Sequence, residues 1–316
     1  MPKPFLTYEQ QIQKLKEKNL TIPNETAAKD TLRRHSYFAL VTGYKNLFKN
    51  PTTKDYRDGT TFEDIVALYE FDAQLRELTL RNLLHIERHI RSALSYAFCQ
   101  KYGEQQTAYL NSANYNLYTK RNRSGINRLI NRYLKPIVDQ EEHTNHPYIE
   151  HYKYQHHNVP LWVLINALTF GTVSKMYQYS TFDIQTSVSK EFEGINEGQL
   201  QKILQVLTDF RNVCAHNERL LSYRCAQREI PDLLLHKKLN IPMRGTQYLY
   251  GKRDLFAVVL VFRYLLPSEE FLQYKRGIGR LIDQVVEKNK QISEAELLVL
   301  MGFPPNWKTI TRYHKI

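Results

Sequence analysis

The chain has 316 residues, of which 42% are apolar, so it can bury a substantial core in one large or two ordinary domains. Its net charge of +12 favours a polyanionic partner, and its 22 tyrosines could stack on unpaired bases, although an ordinary soluble protein with a basic surface fits the same composition. The first residues lack a signal-peptide pattern, no apolar run has bilayer length, and the three cysteines show no paired spacing. These features predict a cytoplasmic protein that does not associate with membranes.

Helical signals follow one another along the whole chain. Thr7 opens the first helix with capping-box spacing, and Thr61 caps the strongest one. That helix, over 62–102, contains neither proline nor glycine, but its length leads us to expect one bend or break. The predicted helices cover residues 8–19, 23 to beyond 34, 37–48 with an interruption near 43, 62–102, 124–139, 160–170, 172–180, 196–219, 252–266, 268–290 and 293–301.

The remaining segments are polar or irregular and are predicted as loops with short helical turns; they are 103–122, 140–159 and 226–250. No alternating pattern is long enough for a useful strand. The predicted fold class is therefore all-α, in one compact unit. We divide it into an N-terminal helical segment over 1–60 packed on the core, a helical core over 61–225 and a C-terminal helical segment over 226–316.

The most informative stretch runs from Arg211 to Asn217 and reads RNVCAHN. The guanidinium of Arg211 can clamp a phosphate with two hydrogen bonds, and the imidazole of His216 can transfer protons near neutral pH. The amides of Asn212 and Asn217 flank the pair. Such groups could break an RNA backbone without a metal, because the 2′-hydroxyl of the RNA is the nucleophile.

The spacing of the two residues sets a geometric condition. On a regular helix, positions five apart point about 140° away from each other. Arg211 and His216 can therefore meet at one phosphate only if the helix ends or distorts near Ala215, or if a second copy completes the site in a two-fold dimer. The simpler alternative is that Arg211 pairs with Asp209 or Glu218 on the surface and His216 is a polar residue at a helix end.

Several blocks of the sequence, in order, resemble the abortive-infection (AbiD/AbiF-type) phage-resistance proteins of the HEPN ribonuclease superfamily. The block RNVCAHNERL over 211–220 is the centre of this resemblance. The other blocks that carry it are KPFLTYEQQ over 3–11, LYEFD over 68–72 with Leu75 and Arg76, Ile86 to Arg88 with Arg91, Leu161 and Trp162 with LTFGT over 168–172, and GFPPNW over 302–307.

This resemblance implies an α-helical HEPN-type bundle, usually dimeric, that cleaves RNA without a metal in bacterial defence or as a toxin. It implies that Arg211 and His216 are the catalytic pair and that Asn212 orders the motif or contacts phosphate. Some members occur beside structured noncoding RNAs, so such an RNA is an expected partner in addition to the substrate. No metal or other cofactor is expected.

Two further sets of residues could support this chemistry. Glu87 could orient Arg211 and Arg91 could add a second cation, although spacing of four residues also fits a simple surface ion pair. A basic run without acids is predicted to bind RNA, unless it is only a solvated helix face; it consists of Lys120, Arg121, Arg123, Arg128, Arg132 and Lys135. Five histidines between 143 and 157 have no standard zinc spacing.

Two other functions fit the same composition. The first is a non-catalytic RNA-binding module that forms a ribonucleoprotein with a structured RNA. The second is a protein-interaction module whose basic surface binds an acidic partner. Cleavage of RNA, a discrete copurifying RNA without cleavage, or the absence of nucleic acid after purification at low salt would separate the three.

Overall fold

The computed structural model describes residues 4–138 and 146–315, and its fold is all-α, as predicted. The α-helices in chain order are α1 (Tyr8–Lys16), α2 (Glu25–His35), α3 (Phe62–Tyr102), α4 (Gln106–Leu110), α5 (Lys120–Val138), α6 (Pro147–Gln155), α7 (Leu161–Leu164), α8 (Phe170–Tyr179), α9 (Phe182–Ser189), α10 (Glu197–Ala215), α11 (Leu234–Lys238), α12 (Leu255–Leu265), α13 (Ser268–Lys288) and α14 (Glu294–Met301). A hairpin of two short strands, β1 (Met243–Arg244) and β2 (Gln247–Tyr248), lies within the stretch predicted to be irregular.

The predicted helix over 37–48 forms differently. Phe38–Thr42 is a π-helical turn and Lys45–Phe48 a short 3-10 helix, whereas Gly43 between them keeps α-helical dihedral angles, so the segment changes helix type and is not interrupted at Gly43 as predicted. Two further 3-10 turns cover Ser112–Asn114 and Trp307–Arg312.

The long helix α3 is the centre of the molecule. It runs through 41 residues without the break that we expected, since nothing in its sequence interrupts the hydrogen bonding. Helices α7, α8, α9, α10 and α13 all pack against it. This packing on several sides stabilises the helix along its length. It also explains why buried residues recur at helical spacing from one end of α3 to the other.

Three sequence-based boundaries were wrong, two of them because of caps that we did not recognise. Helix α5 begins at Lys120, not near Ser124, because the hydroxyl of Thr119 accepts a hydrogen bond from the amide of Asn122 at 3.0 Å. The helix predicted over 160–170 ends after one turn, at Leu164. Helix α8 then begins at Phe170 because Thr169 caps it, and α9 was not predicted at all.

The C-terminal part covers the core from one side. Helix α12 is buried around nearly its whole circumference, and α13 lies along α3. Trp307 and Phe303, from the C-terminal block of the resemblance, pack edge to face within this region, with ring centroids 5.2 Å apart. Among the described residues, no helix is long and apolar enough to cross a membrane.

Candidate functional site

The motif lies at the C-terminal end of α10, where the chain reverses direction. The helix ends at Ala215 and His216 is its C-cap, so a helix end near Ala215, one of the two alternatives that the spacing allowed, is present. Asn217 follows in the left-handed conformation, with φ of 61°. The amide of Glu218 donates to the carbonyl of Val213 at 3.0 Å, as in a Schellman motif. Asn217 therefore shapes the turn that follows the motif, over 217–224, which we call the motif turn.

A buried carboxylate attaches this turn to the rest of the protein. Asp72, on α3, accepts hydrogen bonds from the backbone amides of Leu220 at 3.2 Å and Leu221 at 2.7 Å. It also accepts from the Tyr44 hydroxyl at 2.6 Å and from the Arg76 guanidinium at 2.9 Å. One side chain thus fixes the motif turn, the N-terminal segment and the central helix relative to one another.

Arg211 faces a second buried acid on α3. Its Nε lies 3.5 Å from Oε2 of Glu87, whose side chain is only 5% exposed. Arg211 itself is 30% exposed, and no described residue accepts a hydrogen bond from its side chain. The guanidinium is therefore held beside Glu87 by charge alone, and because its Nε is buried, a ligand could reach only the exposed part of the group. Among the described residues, Arg211 pairs with neither Asp209 nor Glu218, the two acids of the simpler alternative. Asp209 pairs instead with Arg228 at 2.7 Å.

Arg91 points into the protein, beside Glu87. It forms a short ion pair with Glu87 and donates to the carbonyl oxygens of Ile165, Asn166 and Leu168 at 2.7–2.8 Å. Arg91 therefore connects α3 to the turn between α7 and α8, and its donors are already used. Glu87 is thus placed between the guanidiniums of Arg91 and Arg211.

Arg211 and His216 border an exposed strip on the last turns of α10. Ala215 and Asn212 are both exposed and lie about 40° and 100° around the helix from Arg211, with His216 at about 140°. His216 is the C-cap and has φ of −93° and ψ of 11°, which lie outside the α-helical region. The angle of about 140° is therefore the separation of the two positions by helical spacing. The two groups stand at opposite edges of the strip, with the small side chain of Ala215 between them.

The predicted basic helix face meets further cations from two other elements. Arg128 and Arg132 are exposed on α5, opposite the buried Leu129 and Tyr133. Burial, and then the charges of Arg228, Arg121, Arg128 and Arg132, hold the pKa of Lys175 below its ordinary value. We call the residues Arg121, Arg128, Arg132, Lys175 and Arg228 the basic cluster. Lys120 and Arg123 are exposed at the start of the same helix.

Some predicted residues cannot be placed. The side chain of Lys135 and the whole of His143 lie outside the described residues. Among the described histidines, His151 and His156 have ring centroids 5.4 Å apart. Within residues 4–138 and 146–315, no group of three or more potential ligand residues could hold a metal ion.

Sequence analysis missed the roles of Asp72, Lys175 and Arg228. For Asp72 a signal existed, since an acid on the face formed by Leu68, Phe71 and Leu75 must be buried and therefore needs donors. Lys175 and Arg228 carry no such signal, because their approach to α5 depends on packing between elements distant in the chain.

The protein is thus an all-α bundle with an arginine and a histidine at the two edges of an exposed helix end. A family model described as "Abi-like protein" matches residues 30–222, and the chain belongs to this family. The match covers the motif and both buried acids on α3. A search of curated proteins and a search of solved structures found no match. The family membership confirms the resemblance to abortive-infection proteins and suggests a role in abortive infection by phage.

Proposed function

We propose that this protein is a metal-independent RNA endonuclease of the HEPN type that acts in bacterial anti-phage abortive infection. The 2′-hydroxyl of the RNA attacks the adjacent phosphorus, and His216 accepts its proton as general base. The bond from phosphorus to the 5′-oxygen breaks, and that oxygen receives a proton from the protonated ring of a His216. The products carry a 2′,3′-cyclic phosphate and a 5′-hydroxyl.

The observation that carries this proposal is the state of Arg211. Its guanidinium is partly exposed, is tethered to the buried Glu87 and makes no hydrogen bond to a described residue. Preorganised donors of this kind stabilise charge that develops in a transition state, and loss of one costs about 3 kcal/mol in typical enzymes. Asn212, exposed between the two catalytic residues, is in position to contact the same phosphate.

The arrangement of Arg211 and His216 favours a site shared by two copies. Within one chain, helical spacing separates the two positions by about 140°, and Asn212 and Ala215 between them are exposed. A two-fold axis through this strip would place the arginine of each copy opposite the histidine of the other. A homodimer therefore satisfies the geometric condition that one chain does not.

Cleavage of RNA in the presence of EDTA tests the mechanism. The wild-type protein should cleave, whereas Arg211→Ala and His216→Ala should each be slower by about a hundredfold or more. Equal rates for the three proteins, or cleavage only with added metal, would refute the proposal.

Mixing the two inactive variants tests the shared site. In a mixed dimer of Arg211→Ala and His216→Ala, one of two composite sites keeps both groups, so activity should return to about a quarter of the wild-type value after subunit exchange. The mixture should have twice the 37.5 kDa mass of one chain in light scattering. An inactive mixture of exchanging dimers would place both residues of each site in one chain.

A second candidate function is a non-catalytic RNA-binding module that forms a ribonucleoprotein with a structured RNA. The basic cluster favours it, because five cations converge there on α5, α8 and the segment after α10, independently of the motif. Binding and cleavage are compatible, and a bound noncoding RNA would control the nuclease. A discrete RNA that copurifies with His216→Ala, together with no cleavage by the wild type, would favour binding alone.

A further inference from the structure

Two grooves, of which one lies beside the motif turn, meet at one exposed aromatic ring. The first has a volume of about 880 Å³ and lies between residues 34–44 and the turn over 217–224. The second has a volume of about 480 Å³ and lies between α1 and residues 37–56. Phe38 and Thr42 line both grooves. The grooves thus form one path, which begins at Asn217 and crosses the N-terminal segment; we call it the Phe38 path.

Positive charge lines the whole path. Three arginines, Arg34, Arg219 and Arg224, line the first groove with a single acid, Glu218. Among the described residues, the second groove has no acid and four lysines, which are Lys14, Lys18, Lys45 and Lys49. Burial, and then the charges of Lys18 and Lys45, lower the pKa of Lys49. A row of phosphates would relieve this repulsion between cations.

The ring of Phe38 is 79% exposed although it is large and apolar. It lies in the π-helical turn that follows Ser36, whose φ of 60° is in the left-handed region. Beside it, the first groove is lined by Tyr44 and Tyr69, which pack edge to face at 5.8 Å. An exposed ring between two basic grooves is the arrangement on which an unpaired base stacks.

The walls of the first groove are fixed before any ligand binds. Asp72 holds both the Tyr44 hydroxyl and the amide of Leu221, and so holds the two sides together. Arg219 reaches from the motif turn to donate to the carbonyl of Gly43 at 2.5 Å. The walls of the first groove are therefore held in place before a ligand binds. The path begins at Asn217, next to the helix end that carries His216.

We propose that the Phe38 path binds an unpaired RNA strand that continues from the cleaved phosphate across the N-terminal segment, with a base stacked on Phe38 and phosphates beside Arg34, Lys18 and Lys49. The assignment of the ligand as RNA rests on the proposed nuclease function. The strand is unpaired because a base within a duplex cannot offer its face to a ring. The N-terminal segment thus selects the substrate.

The test measures binding of a single-stranded 2′-O-methyl oligonucleotide, which lacks the nucleophile, to the full chain. Phe38→Ala should bind about tenfold more weakly, as expected for the loss of one stack, and Phe38→Tyr should retain the affinity. The control is Phe182→Ala, which removes a ring that is 69% exposed and lines neither groove. Lys18→Gln and Lys49→Gln should each reduce the salt dependence of binding by about 0.7 in logarithmic slope.

Photo-cross-linking locates the strand directly. An oligonucleotide with 4-thiouridine should cross-link within residues 34–49. Unchanged affinity in Phe38→Ala, an equal loss in Phe182→Ala, or cross-links only elsewhere would each overturn the proposal and leave the path to another ligand, such as a protein segment. These outcomes do not depend on cleavage, so the proposal can fail while Arg211 and His216 still cleave RNA. If the EDTA test refutes the nuclease, binding of the strand along the path is still measured by these experiments, and only its continuation from a cleaved phosphate is lost.

Discussion

At the scale of single residues, Glu87 has the most direct influence on the motif. Its carboxylate is nearly buried and faces both Arg91 and Arg211. Arg91 has three carbonyl partners besides Glu87, whereas Arg211 has no other acid among the described residues. Loss of the charge on Glu87 therefore affects Arg211 more than it affects Arg91.

We expect Glu87→Gln to lower the free energy of unfolding by about 2–4 kcal/mol, because the guanidiniums of Arg91 and Arg211, whose side chains are 13% and 30% exposed, lose their counter-charge while the amide keeps one acceptor. RNA cleavage should fall as well, since Arg211 is no longer tethered. Urea denaturation and cleavage rates measure the two effects. The matched control is Glu77→Gln, an exposed acid on the same helix, which should change neither. A neutral effect of Glu87→Gln would contradict the tethering of Arg211.

Asp254 makes stability depend on pH at a site away from the motif. The carboxylate caps α12 by accepting from the amides of Gly251 and Ala257. Burial raises its pKa to about 6, against the opposing charge of Arg224 and the amide hydrogen bonds. The pKa of Asp254 in the folded protein exceeds its ordinary value of 3.8. The contribution of this carboxyl group to stability is therefore fully present below pH 3.8 and is lost as the pH rises through about 6.

Asp254→Asn removes this titration and keeps an acceptor for the cap. Relative to the wild type, the variant should gain on the order of 1 kcal/mol of stability between about pH 5 and pH 7. Denaturation at a series of pH values measures the difference. His236, whose pKa burial lowers, is present in both proteins and largely cancels. A difference that does not change with pH would show that Asp254 does not titrate in this range.

At the scale of elements, the end of α10 decides where the motif turn goes. Asn217 adopts φ of 61°, which glycine tolerates freely, asparagine moderately and alanine poorly. The turn it forms presents Leu220 and Leu221 to Asp72. The backbone conformation of Asn217 thus affects the position of His216, which precedes it, and of the motif turn that lines the Phe38 path, which follows it.

We expect Asn217→Ala to be about 1 kcal/mol less stable than Asn217→Gly, because only alanine pays for the left-handed conformation. Thermal unfolding of the two variants provides the comparison. If the role of Asn217 is conformational, the glycine variant should also cleave RNA like the wild type. A glycine variant that is stable but inactive would instead assign the amide of Asn217 a direct contact with the substrate.

At the scale of the whole molecule, positive charge is distributed over two separate surfaces. The basic cluster joins α5, α8 and Arg228, whereas the Phe38 path lies between the N-terminal segment and the motif turn. Asp209, the partner of Arg228, lies about 20° from the direction of His216 around α10. By helical spacing, His216 therefore lies on the side of α10 that carries Asp209 and its partner Arg228.

Replacing both Arg128 and Arg132 by Gln should weaken RNA binding and lower its logarithmic salt slope by about 0.7 for each lost contact with a single strand. Stability should be unchanged or slightly higher, since repulsion with Lys175 is reduced. The control replaces Arg276 and Arg280, two exposed arginines with the same spacing on α13. Equal slopes for both double variants would exclude the basic cluster from the RNA-binding surface.

The sequence alone determined the fold class and the positions of most principal helices, and it left the helix end at the motif as one of two alternatives. These follow from local patterns, such as the caps at Thr7 and Thr61 and the apolar spacing of α3, which depend on residues a few positions apart. Boundaries failed where a cap such as Thr119 or Thr169 had no strong pattern around it.

Only the tertiary structure decided what surrounds the motif. Glu87 and Arg211 meet across 124 positions of chain, and Tyr44, Asp72 and Leu221 meet across still more. Packing of α10 on α3 brings these groups together, and no pattern within a short window records such packing. The Phe38 path arises in the same way, because its two walls are distant in sequence and become neighbours only when one buried carboxylate binds them both.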